Sequence, residues 1–238
     1  MLLGGTLISS VEFHGNMSLV IFMAKCPLRC PYCHNVDILE EGTETSLNDI
    51  KNKIKVSSDF IDAINISGGE PLFQLEDTIE LLKYAKDLNL KTKIDTSGFY
   101  PKRLKKILDL GLVDYIALDV KAPFNKYKEV IGSDIGKSVK ESMNIVNEYD
   151  DVTLECRTTF VPGLITDDDI KEIASSIHAD IYTLQQFRNN KVLDESLNDV
   201  EAPNPHDLNN LVMELKPLFK GIAKVKSGEF GEKEIYST

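Results

Sequence analysis

Six short apolar runs recur along the chain, at Leu19–Ala24, Ala63–Ser67, Thr92–Thr96, Tyr115–Val120, Val152–Phe160 and Ile181–Gln185. Their Val, Ile, Leu and Phe content is that of strands buried in a parallel sheet. Between the runs the period changes. Leu75, Ile79, Leu82, Ala85 and Leu88 recur at spacings of three and four and predict a helix over Gln74–Asn89. Pro101 suits the first turn of a second helix running to about Leu110, and Gly111 suits its end. Thr166 can cap a third, whose first turn carries Asp167, Asp168 and Asp169 at the positive end of the helix dipole. Strand–helix units in series predict an α/β fold. Six strands are too few for a standard eightfold barrel, and the spacing admits either a partial barrel or an open doubly wound sheet. No repeat, low-complexity tract or linker breaks the series. One domain is expected over 1–238, with a core at about 18–188 and a C-terminal segment at about 189–238. The entry to that segment, around Pro203, suggests a last helix packing under the barrel.

In either architecture a ligand binds beyond the C-terminal ends of the strands, and the polar clusters lie there. Cys26 follows the first strand, and Ser67-Gly68-Gly69-Glu70 ends the second. Asp95-Thr96-Ser97-Gly98 ends the third and Asp119-Val120-Lys121 the fourth. Arg157 lies within the fifth, and Gln185-Gln186 ends the sixth. Strand alternation puts Asp119 and Lys121 on one side.

Composition narrows the function classes. The 38 acidic side chains outnumber the 27 basic ones, a formal charge of −11 that argues against a general nucleic-acid binder. No apolar run approaches a membrane span, and the start MLLGGTLISS lacks the basic and apolar regions of a secretory signal. A cytoplasmic protein is expected. Cys26, Cys30 and Cys33 fall within eight residues, while Cys156 stands alone. In a reducing compartment such a cluster holds metal or does redox chemistry. Cys156 reads as a small buried hydrophobe. His14, His178 and His206 read as solvated or capping residues.

The cysteine loop is Cys26-Pro27-Leu28-Arg29-Cys30-Pro31-Tyr32-Cys33-His34-Asn35, with spacing C-x3-C-x2-C. Three thiolates can hold three corners of a cubane iron–sulfur cluster and leave one iron open. The alternative is structural zinc with His34 as fourth ligand, although zinc sites usually draw ligand pairs from separate turns. With Tyr32 as its aromatic, the motif resembles that of the radical SAM superfamily. Cys33-His34-Asn35, Asp119-Val120-Lys121, Val161-Pro162-Gly163 and Leu184-Gln185-Gln186-Phe187-Arg188 resemble its glycyl-radical-enzyme activating branch. That branch includes the activases of pyruvate formate-lyase and of anaerobic ribonucleoside-triphosphate reductase. The resemblance runs from about Gly5 to Arg188. His14 departs from it, standing where the branch usually has proline.

The resemblance implies a partial (β/α)6 TIM-like barrel and a [4Fe–4S] cluster on Cys26, Cys30 and Cys33. It implies that the open iron chelates S-adenosylmethionine, and that reductive cleavage yields a 5′-deoxyadenosyl radical that takes hydrogen from a glycine of a partner enzyme. Tyr32 and Asn35 belong to the motif around the cofactor. Gly68, Gly69 and Glu70 match the GGE motif, where the glycines admit close backbone approach and the carboxylate accepts from the methionine amino group; read alone they make a plain turn. Asp95, Thr96 and Asp119 match oxygen donors for a monovalent cation, or else cap turns. Lys121 can meet the cofactor's carboxylate and ribose, or form a surface ion pair. Arg157 matches an arginine of the activases, or a buried ion pair.

Some activases carry further cysteine sets in a ferredoxin-like insert, which this chain lacks. A single cluster is therefore expected, reduced by an external donor such as flavodoxin or ferredoxin. The acidic stretch Asp37–Asn48 reads as solvated, or as a place for a partner to dock. The features together predict an activating enzyme whose partner is anaerobic ribonucleoside-triphosphate reductase. One rival is a radical SAM enzyme acting on a small molecule in cofactor biosynthesis, which favours a capped pocket over an open groove. The other is a non-enzymatic, zinc-stabilised interaction module.

Overall fold

The computed structural model describes residues 1–229 and 231–238. In chain order its strands are β1 (Leu2–Ser9), β2 (Ser18–Met23), β3 (Thr43–Glu44), β4 (Ala63–Gly68), β5 (Lys91–Thr96), β6 (Tyr115–Asp119), β7 (Thr153–Phe160), β8 (Ile181–Gln186), β9 (Ile222–Ser227) and β10 (Gly231–Ser237). Its helices are α1 (Leu47–Ser57), α2 (Leu75–Asp87), α3 (Pro101–Asp109), α4 (Tyr127–Ile131), α5 (Gly136–Val146), α6 (Asp167–Ser176) and α7 (Pro205–Glu214). All strands join one sheet in the order β10-β9-β8-β7-β6-β5-β4-β2-β1-β3. From β2 to β9 every neighbouring pair is parallel, while β1, β3 and β10 add antiparallel edges. This is a partial TIM-like barrel. No described helix is long and apolar enough to cross a membrane.

The expected strands are β2 and β4 to β8. The predicted helix ends also hold. In α2, Ile79, Leu82 and Ala85 are buried, and Asn89, at φ 57°, ends the turn. Pro101 opens α3, and Gly111 follows it at φ 62°. The Thr166 side chain accepts from Asp169 N, and Asp169 returns a carboxylate to Thr166 N, which is a capping box.

The C-terminal segment differs from expectation. Its helix α7 is there, capped by Asn204 with Pro205 in the first turn. It forms the crossover of a β8-α7-β9 unit and so lies on the sheet's flank, not beneath the barrel. The β1–β2 connection reaches towards this end of the sheet. Lys226 Nζ of β9 lies 3.0 Å from the Glu12 carboxylate, and His14 lies 3.7 Å from Glu232 of β10. Phe13 packs on the Tyr115 ring at 5.2 Å.

Strand alternation divides the side chains. Ile64, Ile66, Ile94, Ile116, Leu118, Leu154, Leu184 and Val225 are buried in the apolar core. Asn65, Lys93, Asp95, Glu155, Arg157, Thr183 and Lys224 occupy the alternate positions and form a polar interior.

Candidate active site

The cysteine loop starts where β2 ends. Lys25 turns the chain through φ 71°. The loop is then tied on two sides. Lys25 N donates to Ile38 O at 2.7 Å and Cys26 N to Leu39 O at 3.1 Å. On the β4 side, Gly69 N donates to Met23 O, Glu70 N to Lys25 O at 2.9 Å, and Asn35 Nδ2 to Gly68 O at 2.9 Å. A Cβ on Gly69 would lie 2.2 Å from Lys25 O, and one on Gly68 2.4 Å from Met23 O. The close approach that requires these glycines is therefore to the cysteine loop's own backbone. Both glycines also line the cavity that the loop borders.

Cys26, Cys30, Tyr32, Cys33, Asn35, Gly68, Gly69, Asp95, Thr96, Asp119, Lys121 and Arg157 line one cavity of about 350 Å³ at the C-terminal ends of the strands. Burial pushes the Cys26 thiol up to about 12. It raises Cys30 as well, against the pull of the Lys121 ammonium. The Tyr32 hydroxyl is buried with no hydrogen-bond partner among the described residues.

Glu70 is placed differently from the other motif residues. It is fully buried and does not line the cavity. Its Oε1 accepts from Leu72 N at 3.1 Å and Thr96 Oγ1 at 2.8 Å, while Oε2 accepts from Ser97 N at 2.8 Å and from Ser97 Oγ. Both oxygens are thus engaged within the fold, and the carboxylate clamps the end of β4 to the end of β5. Burial raises its pKa despite these donors. These contacts make the side chain a clamp that positions the motif.

Asp95, Thr96 and Asp119, the candidate cation ligands, all line the cavity. Asp95 and Asp119 converge on Arg157, whose Nη1 lies 3.3 Å from Asp95 and whose Nη2 lies 2.8 Å from Asp119. Thr96 Oγ1 is turned to Glu70. Lys93 adds a second cation 3.2 Å from Asp95, and Lys121 Nζ lies 3.0 Å from Asp119. Burial alone would raise both aspartates, but Arg157 and Lys93 hold Asp95 well below the carboxylate range, and Arg157 and Lys121 hold Asp119 below its ordinary value. The guanidinium thus supplies positive charge between the two carboxylates. Arg157 and Lys121 are at once ion-paired and part of the cavity wall.

The sequence reading left out Glu12, Thr159 and Lys226, which also line the cavity, and assigned no site role to Ser67, Ser97 or Gln185. Glu12 and Lys226 come from segments that carry no motif. Thr159 and Gln185 had a usable signal, since they follow Arg157 and Thr183 at the strand period of two. A second cleft of about 470 Å³ adjoins the first and shares Glu12, His34, Asn35, Thr159, Gln185 and Lys226 with it. Gln186, Arg188, Asn190 and Lys191 complete its walls, so the mouth of the site is polar throughout.

His34 Nδ1 lies 3.1 Å from Asn190 O, to which it can only donate, and its ring stacks on Phe187. Among the described residues, no three His, Cys, Asp or Glu side chains converge on one point as a zinc ion requires. A cubane instead takes each thiolate on a different iron. Cys156 is fully buried beneath the outer face of the sheet, away from this cavity.

The radical SAM superfamily profile matches residues 20–177, over the strands and loops that build this cavity. The chain belongs to the radical SAM superfamily, and as an enzyme of that family it uses a [4Fe–4S] cluster and S-adenosylmethionine. Within it, the chain falls in the branch of the glycyl-radical-enzyme activating enzymes. A Methanocaldococcus jannaschii protein, provisionally named a glycyl-radical enzyme activating enzyme, is 36% identical over 211 residues, covering 86% of this chain and 87% of that protein. The pyruvate formate-lyase-activating enzyme of Clostridium pasteurianum is 29% identical, covering 84% of this chain and 91% of that protein. The structure of TYW1 with a lysine-pyruvate adduct bound superposes with a TM-score of 0.64 at 16% identity, covering 93% of this chain and 81% of that one, and shows the shared fold.

The cavity suits both groups. Three thiols are the soft donors an iron–sulfur cluster takes. They share the wall with an unpartnered buried hydroxyl and with Lys121, whose pKa is raised above its ordinary value by Asp119 and Cys30 against the effect of burial.

Proposed function

We propose that the protein generates a glycyl radical on a partner enzyme, and that the partner is anaerobic ribonucleoside-triphosphate reductase. The observation that carries the reading is the polar cleft opening beside the cysteine cavity. A segment of another protein needs such an open entrance, whereas a small substrate favours an enclosed pocket. The resemblance of Cys33-His34-Asn35 and Leu184–Arg188 to the activating branch supports a glycyl-radical enzyme as the partner.

In this reading Cys26, Cys30 and Cys33 hold the cluster, and each gives up its thiol proton to do so. When bound, the cluster and S-adenosylmethionine supply a low-potential electron and the adenosyl group that abstracts hydrogen. The chain's own residues bind and orient. Glu70 fixes the turn carrying Gly68 and Gly69 against Cys26. Arg157 keeps Asp95 and Asp119 ionised and aligned, and Lys121 places a positive charge beside Cys30.

The test is anaerobic incubation of the reconstituted protein with S-adenosylmethionine, dithionite and the candidate partner, read by electron paramagnetic resonance. A glycyl doublet on the reductase is expected. A doublet only on pyruvate formate-lyase would overturn the choice of partner. Failure to release 5′-deoxyadenosine with any partner would overturn the activity.

A further inference from the structure

We propose that the outer face of α3, together with Phe73, docks an acidic one-electron carrier protein of the flavodoxin kind. The inference rests on the reading that the cysteine loop holds the cluster.

The chain carries a charge of −11, yet the segment 98–108 contains Lys102, Arg103, Lys105 and Lys106 and no acidic residue. Helix α3 buries Leu104, Ile107 and Leu108, which turns its cations outward. Lys106 is paired with Glu76 and Lys105 with Asp109. Lys102 and Arg103 have no acidic partner among the described residues. Arg103 lies over the Tyr100 ring at 4.3 Å and donates to Leu72 O and Phe73 O. Beside it the Phe73 side chain is 40% exposed, a large aromatic at a cationic surface.

This face lies close to the cysteine loop. The carbonyls that Arg103 holds belong to the turn Pro71–Gln74, which Glu70 opens. The Glu70 amide binds Lys25 O, one residue before Cys26. Helix α3 packs on α5, and none of its residues, nor Phe73, lines the polar cleft proposed for the protein substrate.

Charge decides the occupant. An acidic carrier is repelled by most of a surface of net charge −11 and attracted where cations are exposed, which restricts it to one approach. Electron-transfer encounters are small interfaces steered in this way. The carrier loses one electron to the site behind the turn, and no bond forms or breaks at the docking face.

Binding of oxidised flavodoxin to the cluster-loaded protein, read by biolayer interferometry, tests the proposal. At low salt Lys102→Glu with Lys106→Glu is expected to weaken binding by roughly tenfold or more, and high salt to erase the difference. Lys216→Glu with Lys220→Glu makes the same charge change on exposed residues after α7 and is expected to leave binding as in the parent. Dithionite-driven release of 5′-deoxyadenosine should stay within about twofold in both variants. Equal flavodoxin binding by parent and α3 variant, or equal loss in the control, would overturn the proposal. So would loss of dithionite-driven glycyl-radical formation in the α3 variant, which would assign the face to the substrate protein. Absence of dithionite-driven cleavage in the parent would instead overturn the activity assigned to the cysteine loop, leaving the binding result to stand by itself.

Discussion

Cys156 and Arg157 are neighbours on β7, and they meet opposite surroundings. Cys156 points into the apolar layer, where burial pushes its thiol up and nothing reaches it from the cavity. Arg157 points inward to Asp95, Asp119 and the cavity. The same division runs through the sheet. The outer face stabilises by removing apolar surface from water, about 1.5–3 kcal/mol for each large side chain fully buried. The inner face holds charges whose mutual attraction offsets their desolvation and leaves little net stability. Its contribution is to place groups: Glu155 accepts from both Tyr115 and Thr183, and Lys224 reaches Glu232 at 2.7 Å. One face of these strands holds the fold together, and the other builds the site.

Substitutions should separate the two faces. The largest effect is expected at the cysteine loop, where Cys26→Ala, Cys30→Ala or Cys33→Ala should reduce 5′-deoxyadenosine release to background. Next, Arg157→Ala leaves two buried carboxylates without their guanidinium and should lower stability by about 3–5 kcal/mol in denaturant titrations. Arg157→Lys should recover only part of that, because an ammonium cannot reproduce the fork. Glu70→Ala should cost roughly 1–3 kcal/mol, since Leu72 N and Ser97 N lose their acceptor. It should weaken S-adenosylmethionine binding while the protein keeps its cluster colour; an unchanged affinity would refute the positioning role.

Acid supplies a fourth comparison. Asp95 and Asp119 have folded-state pKa values held below the ordinary value, so their contribution is complete above about pH 4 and is lost as the pH falls below it. Denaturation midpoints should therefore fall more steeply below that pH in the parent than in Arg157→Met, where the pairing is already gone. The smallest effect is expected at Cys156→Ala, about 1 kcal/mol of stability with cofactor cleavage unchanged. Loss of the cluster in that variant would overturn the choice of ligands.

The outer face was legible because helix packing imposes long apolar patterns, and β2 and β4 to β8 appear where those patterns lie. The edges were not. β9 reads Ile-Ala-Lys-Val-Lys-Ser, and its lysines look like surface residues until the interior that receives them is known. β1 carries two consecutive glycines, and its pairing with β2 shifts register between Leu3 and Gly5. Glu12 and Lys226 are 214 residues apart and form a bridge only because the chain folds back on itself.

By itself the sequence determined the strand–helix series, the helix caps and the thiol triplet, because each depends on neighbours within a few positions along the chain. Tertiary structure decided what those residues face. It turned Gly68 and Gly69 towards backbone, enclosed Glu70 among four donors, and set Arg157 between two carboxylates. These are contacts between strands far apart in sequence, and their electrostatics follow from distance and burial, which residue spacing does not encode.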